Sequence, residues 1–423
     1  MFDGVSNEEV GLALKLTILL SLVEETLSLG GKDEKLLEML RKVYVNGFLH
    51  GRINLPLNLN VEPLSLDGKC YICEGLLQDK SLIEKLALKA TEKLGEYEYN
   101  TFLVGTKLPR RVLEKEDEVR ARFNLLYGES IKRELNRLIG TRIRELTGKQ
   151  VDFENPDVRV IIDVESGEVN LEVKPIYIYG RYRKYVRGIP QTKWPCRVCG
   201  GKGCERCKWT GKMYQESVEE CIGKVLVEEA RADGTKFHGA GREDIDARML
   251  GDGRPFIIEL VNPRKRSLNL EYLEKRINEV NRGKIEVKGL RFSSKEEVRT
   301  LKQLSGKAKK TYRVIVEAED GLTEEDLEKI KSVFRNVVVE QQTPKRVLHR
   351  RSDKLRRKKV YEIDGKIING RKAELTITCD GGLYIKELVD GDEGRTTPSI
   401  SEVLGKSVKC VSLDVIKVWM EDL

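Results

Sequence analysis

"FHGAGREDIDARMLG", Phe237 to Gly251, packs three glycines, two arginines and three carboxylates into fifteen residues. A surface loop spreads such charge out, and a core strand does not carry it. Gly239 and Gly241 allow an unusual backbone turn ahead of Arg242, because glycine lacks the Cβ that bars left-handed conformations. Glu243, Asp244 and Asp246 follow that turn. A phosphate-binding loop needs its glycines followed by Lys-Ser or Lys-Thr, and neither pair is here. A dinucleotide or methyl-donor site does not place acids where phosphate must approach. Three carboxylates suit a metal ion, but Arg242 and Arg248 compete with it. On spacing alone two readings stay open. One is a salt-bridged structural turn. The other is a carboxylate held ionised by arginine and used as nucleophile or base.

The 423 residues around this stretch suggest two or three domains, each able to bury a core. With 39% hydrophobic and 35% charged residues the chain is globular but polar. Its net charge of +8 is modest for the length, so the distribution of charge says more than the total. Six of the nine cysteines stand in C-x-x-C pairs, which argues for metal binding in a reducing compartment and against a secreted disulfide framework. The most apolar run, "VGLALKLTILLSLV" from Val10 to Val23, contains a lysine and is too short to span a bilayer. No signal peptide is visible. A cytoplasmic protein without membrane attachment is expected.

Residues 7–48 carry apolar positions at helical spacing and predict two helices, and a longer helical stretch is predicted over Asp117–Lys149. "VRVIIDV", Val158 to Val164, and "EVNLEVKPIYIYG" predict strands joined by Glu165-Ser166-Gly167. After them "RYRKYVRGIPQTKW" interleaves Arg181, Arg183, Lys184 and Arg187 with Tyr182 and Tyr185. Cations neutralise phosphate and aromatics stack on bases, so this segment is a candidate RNA-binding loop. Beyond residue 214, strands are expected at Phe256–Val261, Thr311–Glu317, Asn336–Gln341, Val360–Ile363, Ala373–Thr378 and Lys409–Met420. Helices are expected at Ser217–Arg231, Leu268–Arg282, Lys295–Gln303 and Glu324–Ser332. They do not alternate as βαβ units, so the fold class is α+β.

Two further clusters carry chemistry. "CRVCGGKGCERC" spaces Cys196, Cys199, Cys204 and Cys207 as C-x2-C-x4-C-x2-C around a glycine-rich spacer. Four thiolates satisfy tetrahedral Zn²⁺ with no open position, so the metal would be structural, a staple at the hinge between domains. Cys70 and Cys73 form a lone pair that supplies only half of such a site. The run "TPKRVLHRRSDKLRRKKV" sets nine Lys or Arg between Lys345 and Lys359 against one acid, Asp353. So dense a run repels itself unless it meets an anion, and Arg350, Arg351, Arg356 and Arg357 are candidate RNA contacts.

These segments together resemble a known family. "GAGREDIDARMLGDGRPF" is similar to the catalytic loop of pseudouridine synthases, whose signature is G-R-x-D. The family called pseudouridine synthase ten, found in archaea and eukaryotes, is the most similar. "IYIYGRYRKYVRGIPQTKW" resembles that family's THUMP-associated segment, and "QQTPKRVLHRRSDKLRRKKVYEI" resembles its thumb-like basic loop. "CDGGLYIKELVDGDEGRTTPSISEVLG", Cys379 to Gly405, is similar to the motif C-x-x-G-x-Y-I-[KR]-x-L. The resemblance covers nearly the whole chain. It implies a mixed-sheet synthase core flanked by helices, an N-terminal α/β THUMP-containing domain and a zinc knuckle. The implied boundaries are 1–190 for tRNA binding, 191–213 for the knuckle and 214–423 for catalysis.

The resemblance also implies a reaction: isomerisation of uridine to pseudouridine in the T-loop of tRNA, at position 54, 55 or both. It calls for no organic cofactor and no obligate protein partner. Residue by residue, G-R-x-D makes Asp244 the catalytic carboxylate, attacking ribose C1′ or taking a proton from C2′. Arg242 would fill the space the flipped base vacates. Lys386 would pair with Asp244 and keep it ionised, and Ile385 would shape the pocket beside it. Tyr312 matches the strand aromatic that stacks on the target uracil, and Leu413 would form an apolar wall. Asp246 is the rival carboxylate. Members commonly carry an earlier C-x-x-C that would complete the Cys70/Cys73 site, and this sequence shows none ahead of them. The alternative function is a zinc-containing tRNA-binding module without chemistry.

Overall fold

The structure, a computed structural model, describes residues 72–122 and 129–420. Cys70 and the helices expected over 7–48 lie outside the described residues. The chain divides into two compact units after Glu172.

In the first unit the elements are α1 (Lys80–Leu94), β1 (Thr101–Lys107), α2 (Arg110–Arg122), α3 (Ile131–Thr147), β2 (Gln150–Val151), β3 (Val158–Asp163) and β4 (Glu168–Val173). The strands form a sheet in the order β2-β1-β3-β4. Helix α3 begins where the Ser130 side chain accepts from the Arg133 N–H, and stops at Gly148 in the left-handed region. Its buried Ile131, Leu135, Ile139 and Ile143 recur every fourth residue and make one apolar face. The predicted helical stretch over 117–149 is therefore two helices, of which α2 starts earlier than expected.

The second unit continues with β5 (Ile176–Lys184), α4 (Val218–Ala230), β6 (Gly234–Gly239), β7 (Arg248–Val261), α5 (Leu270–Val280), β8 (Ile285–Ser293), α6 (Lys295–Lys307) and β9 (Lys309–Ala318). After these come α7 (Glu324–Val333), β10 (Val337–Gln341), β11 (Arg356–Asn369), β12 (Lys372–Asp380), α8 (Ile385–Asp390), β13 (Thr396–Thr397), α9 (Ile400–Leu404) and β14 (Val408–Trp419). Among the described residues the ten strands make one sheet, β13-β10-β11-β12-β9-β14-β7-β5-β8, with β6 added on β7. Every predicted strand and helix beyond residue 214 is present, though β7 and β11 are much longer than the 256–261 and 360–363 expected, and β6, β8, α8, β13 and α9 were not anticipated. The basic segment expected to be a loop is half strand: β5 runs to Lys184 and pairs with both β7 and β8. The contacts also put β5 in this unit, so the first unit ends well before the expected boundary at 190.

The sheet is antiparallel except where β14 meets β7 in parallel, Asp414 facing Arg248. That pairing fixes the floor of the loop between β6 and β7, which is the opening stretch. Strand β9 lies between β12 and β14, and its buried positions 310, 312, 314, 316 and 318 alternate along one face. No described helix is long and apolar enough to cross a membrane.

Candidate active site

The 240–247 loop is held from beneath. Phe237 on β6 stacks on Phe256 of β7 with ring centroids 5.1 Å apart, and Tyr182 of β5 meets both rings edge-on. Gly239 leaves room for Gln191, since a Cβ there would fall 2.6 Å from Gln191 Nε2. Gly241 has φ +81°, a conformation open to glycine and strained for other residues. Gln191 Nε2 donates to the Gly241 carbonyl at 2.9 Å and to the Tyr182 hydroxyl at 2.9 Å.

Glu243 turns inward from this loop and is fully buried. It accepts from Arg254 Nε at 2.9 Å and from the Tyr182 hydroxyl at 2.8 Å, with Lys184 Nζ at 3.8 Å. Burial opposes its charge, but Arg254 and Lys184 more than offset this and hold the carboxyl below its ordinary value. Arg254 also donates to the Ala240 carbonyl at 2.8 Å, and Lys184 to the Ile189 carbonyl at 2.8 Å. The first carboxylate of the opening stretch, Glu243, is thus the structural one. It clamps the loop so that its neighbour, Asp244, faces outward.

Asp244 lines a cavity of about 400 Å³ together with Arg242, Tyr312, Ile385 and Leu413. These expected partners come from the β6–β7 loop, β9, the start of α8 and β14, so the sheet brings together residues far apart in sequence. Arg346, in the tight turn Lys345–Arg350, reaches Asp244 at 3.0 Å through Nη2 and pairs with Glu387 at 2.5 Å. Burial opposes the Arg346 charge, but Glu387 and Asp244 raise its pKa. Lys386 is 3.9 Å from Asp244 and bonds Asp246 at 2.6 Å. Its closer partner is therefore Asp246, and Arg346 is the closer cation to Asp244. Sequence reasoning did not single out Arg346; the only signal was the charge density of the run that contains it.

Tyr312 is buried on β9, and burial, with the Cys379 thiol beside it, pushes its phenol far above the ordinary range. It offers a ring face and not a base. Ile385 and Leu413 supply apolar wall. The Arg242 guanidinium lies over Trp194 at 5.5 Å from the ring centroid. Seven cationic side chains, Arg242, Arg254, Lys310, Arg346, Arg351, Arg356 and Lys358, line the cavity against the carboxylates Glu243 and Asp244. Such a cavity attracts anions.

The expected RNA-binding residues divide. Arg351 donates to the Tyr384 hydroxyl at 2.9 Å, Arg356 to Thr343 at 2.8 Å, and both lie over the Tyr384 ring and line the cavity. Arg357 is exposed and pairs with Glu340 at 2.9 Å. Arg350 falls in the turn that carries Arg346. The 181–187 cluster is different. Lys184 and Tyr182 are fully buried beneath the loop and are unavailable to RNA. Arg181 donates to the Met420 carbonyl at 2.8 Å and Arg183 to Glu286 at 3.0 Å. Arg187 bonds the Leu413 carbonyl at 2.7 Å and Asp414 at 2.6 Å. This cluster braces the ten-stranded sheet, because the strand continues where a loop was expected.

Cys196, Cys199, Cys204 and Cys207 bring their sulfurs within 4.8 Å of one another and could hold a metal ion. The 196–204, 199–207 and 204–207 separations are 3.9, 3.9 and 3.6 Å, close to the ~3.8 Å edge of a tetrahedron with metal–sulfur bonds of about 2.3 Å. Burial works against ionising Cys207, yet the N–H groups of Cys204 and Gly211 bring its thiol down to about 6. The knuckle lies between β5 and α4, inside the larger unit, not between the two units. Trp194, over which Arg242 sits, accepts at its carbonyl from the Met213 N–H at the base of the knuckle. Cys73 is buried against Val112 and Ile131, and the described residues contain no other metal-sized cluster.

The family model for the C-terminal part of Pus10 matches residues 177–419, and the model for the archaeal Pus10 THUMP domain matches residues 86–163. A tRNA pseudouridine synthase Pus10 of Korarchaeum cryptofilum is 46% identical over 369 residues, covering 87% of this chain and 98% of the relative. The protein of the same name in Methanothrix thermoacetophila is 44% identical, covering 98% of this chain and 88% of its own. That of Methanocaldococcus jannaschii is 42% identical, covering 99% and 89%.

Proposed function

The chain belongs to the Pus10 family, and we propose on that premise that it is a tRNA pseudouridine synthase with Asp244 as its catalytic carboxylate. The observation that carries the assignment is the placement of Asp244, Arg346, Tyr312, Ile385 and Leu413 around one cationic cavity. The target uridine leaves its stack and enters this cavity, where Tyr312 covers the uracil face. Arg346 orients the Asp244 carboxylate. Asp244 attacks ribose C1′ or removes the C2′ proton, and on either route the N1–C1′ bond breaks. The freed uracil turns so that C5 bonds C1′, and the C5 proton leaves. Arg242 occupies the space left in the RNA, and Arg351, Arg356 and Arg357 meet phosphates.

The substrate position is 54, 55 or both in the T-loop, a reading that rests on the family resemblance. The THUMP-containing unit grips the acceptor end of the tRNA. The four cysteines hold a structural Zn²⁺, and a closed set of thiolates gives it no part in the chemistry. The reaction needs no organic cofactor and no obligate protein partner, and the protein works in the cytoplasm. Incubating the full chain with unmodified tRNA transcripts and mapping pseudouridine chemically tests this. Pseudouridine confined to 54 or 55 is expected, whereas none, or a different site, contradicts the assignment.

A further inference from the structure

Strand β9 presents one charge on its core-facing side. The alternation that buries Tyr312, Val314, Val316 and Ala318 buries Lys310 as well, leaving it 6% exposed. Its ammonium lines the catalytic cavity and stands at the entry of the catalytic loop, where a Cβ on Gly241 would lie 2.8 Å from Nζ. Among the described residues Lys310 makes no side-chain hydrogen bond and no ion pair. The nearby groups do not satisfy it: burial pushes the Cys379 thiol up to about 12 and keeps it neutral, Glu243 is engaged by Arg254, Tyr182 and Lys184, while Arg254 and Lys358 repel it. A buried cation without a partner is costly. Elsewhere in this unit the buried cations, Arg254 and Lys184, are fully partnered. Its ammonium opens onto the cavity, so a substrate seated there can supply the partner that the protein does not.

The reaction supplies one. On either route the electron pair of the N1–C1′ bond departs on the base. Uracil leaves as an anion whose charge is shared among N1, O2 and O4. Asp244 gains the bond to C1′ in one case and the C2′ proton in the other, so no oxidant or co-reactant is needed. We propose that Lys310 donates a hydrogen bond to a carbonyl oxygen of the target uracil and stabilises the charge that oxygen takes as the glycosidic bond breaks. This rests on the assignment of Asp244 above. Lys310 and Tyr312 stand two residues apart on one strand face, so the base that stacks on the ring lies within reach of the ammonium.

The test uses the full chain with Lys310→Met and Lys310→Gln. Single-turnover rates are measured on an unmodified tRNA transcript and on one carrying 5-fluorouridine, which can break its glycosidic bond but has no C5 proton to lose. Lys310→Met is expected to slow both substrates by roughly 10²–10³-fold, the usual loss on removing one donor to a developing oxyanion. Lys310→Gln, which keeps a donor without charge, falls between. Filter-binding affinity for tRNA stays near wild type, and the melting temperature of Lys310→Met stays level or rises. In wild type, kcat/KM falls as pH climbs past about 8, the value to which burial and then Arg254 lower the free Lys310. Lys310→Gln lacks that limb. Wild-type turnover by Lys310→Met overturns the proposal. So does a loss confined to affinity, which would make Lys310 a phosphate anchor, or a lowered melting temperature that accounts for the lost rate. Loss on uridine with 5-fluorouridine spared would place Lys310 after bond cleavage. An inactive wild type instead defeats the Asp244 reading itself.

Discussion

Two cations stand near Asp244, and distance ranks them. Arg346 touches the carboxylate at 3.0 Å, whereas Lys386 is 3.9 Å away and bonded to Asp246. A charge-assisted hydrogen bond contributes about 1.5–3 kcal/mol, so Arg346→Met should lower kcat by roughly 10–100-fold. Lys386→Met should lower it less, and kinetics of the two variants side by side check the order. A larger loss at Lys386 would mean that the substrate complex exchanges the two cations. Lys310 makes a separate prediction about stability. Its folded value, about 8, lies below the ~10.4 of an unfolded lysine. Between those values the unfolded chain holds more protons, so this residue makes stability rise with pH. Below pH 8 the buried charge is present in full and the penalty is largest. Melting temperatures of wild type and Lys310→Met should therefore differ most below pH 8 and converge towards pH 10. A constant difference across that range contradicts it.

At the scale of elements, the β6–β7 loop owes its shape to a carboxylate that does no chemistry. Glu243→Ala leaves Arg254 and Lys184 buried without their anion, and removing one partner of such a cluster costs about 3–5 kcal/mol. Chemical denaturation should register that loss, and an unchanged midpoint would show that the loop is held elsewhere. The knuckle acts on the same loop through Trp194 and Arg242. Cys204→Ser should lose the zinc proposed for the four cysteines, as read by elemental analysis against wild type, and lower both melting temperature and turnover. Full activity without the metal would detach the knuckle from the site. The regular elements were legible because their apolar periods are long and capped: the Ser217 cap and the Val218, Ile222, Val225 and Leu226 face mark α4 almost to the residue. Strand β6 was not, since "GTKFHG" has two glycines and no clean alternation. "RYRK" misled because Lys184 is buried only by virtue of Glu243, a partner that no local pattern reveals. The family resemblance brought Asp244, Arg242, Tyr312, Ile385 and Leu413 forward as candidates, and the fold places them around one cavity, whereas the positions of Arg346 and Lys310 beside it are set only by the folded sheet.

For the molecule as a whole, the cavity's excess of cations ties substrate binding to salt. Each phosphate neutralised contributes a slope of about −0.7 to −0.9 in log affinity against log salt. Replacing Arg351 and Arg356 together by Gln should flatten that slope by up to about 2, with a loss of affinity that is nearly independent of sequence around the target uridine. An unchanged slope would mean that these arginines serve Tyr384 and the loop alone. The proposed chemistry converges on one side chain, Asp244. The most direct measurement is pseudouridine formation on unmodified tRNA by Asp244→Ala, alongside tRNA affinity and melting temperature. Turnover should drop by roughly 10⁴-fold or more, the scale seen when a nucleophile is removed, while affinity and fold persist. Pseudouridine formed at a rate close to wild type would remove Asp244 from the reaction and leave the cavity without its catalytic group.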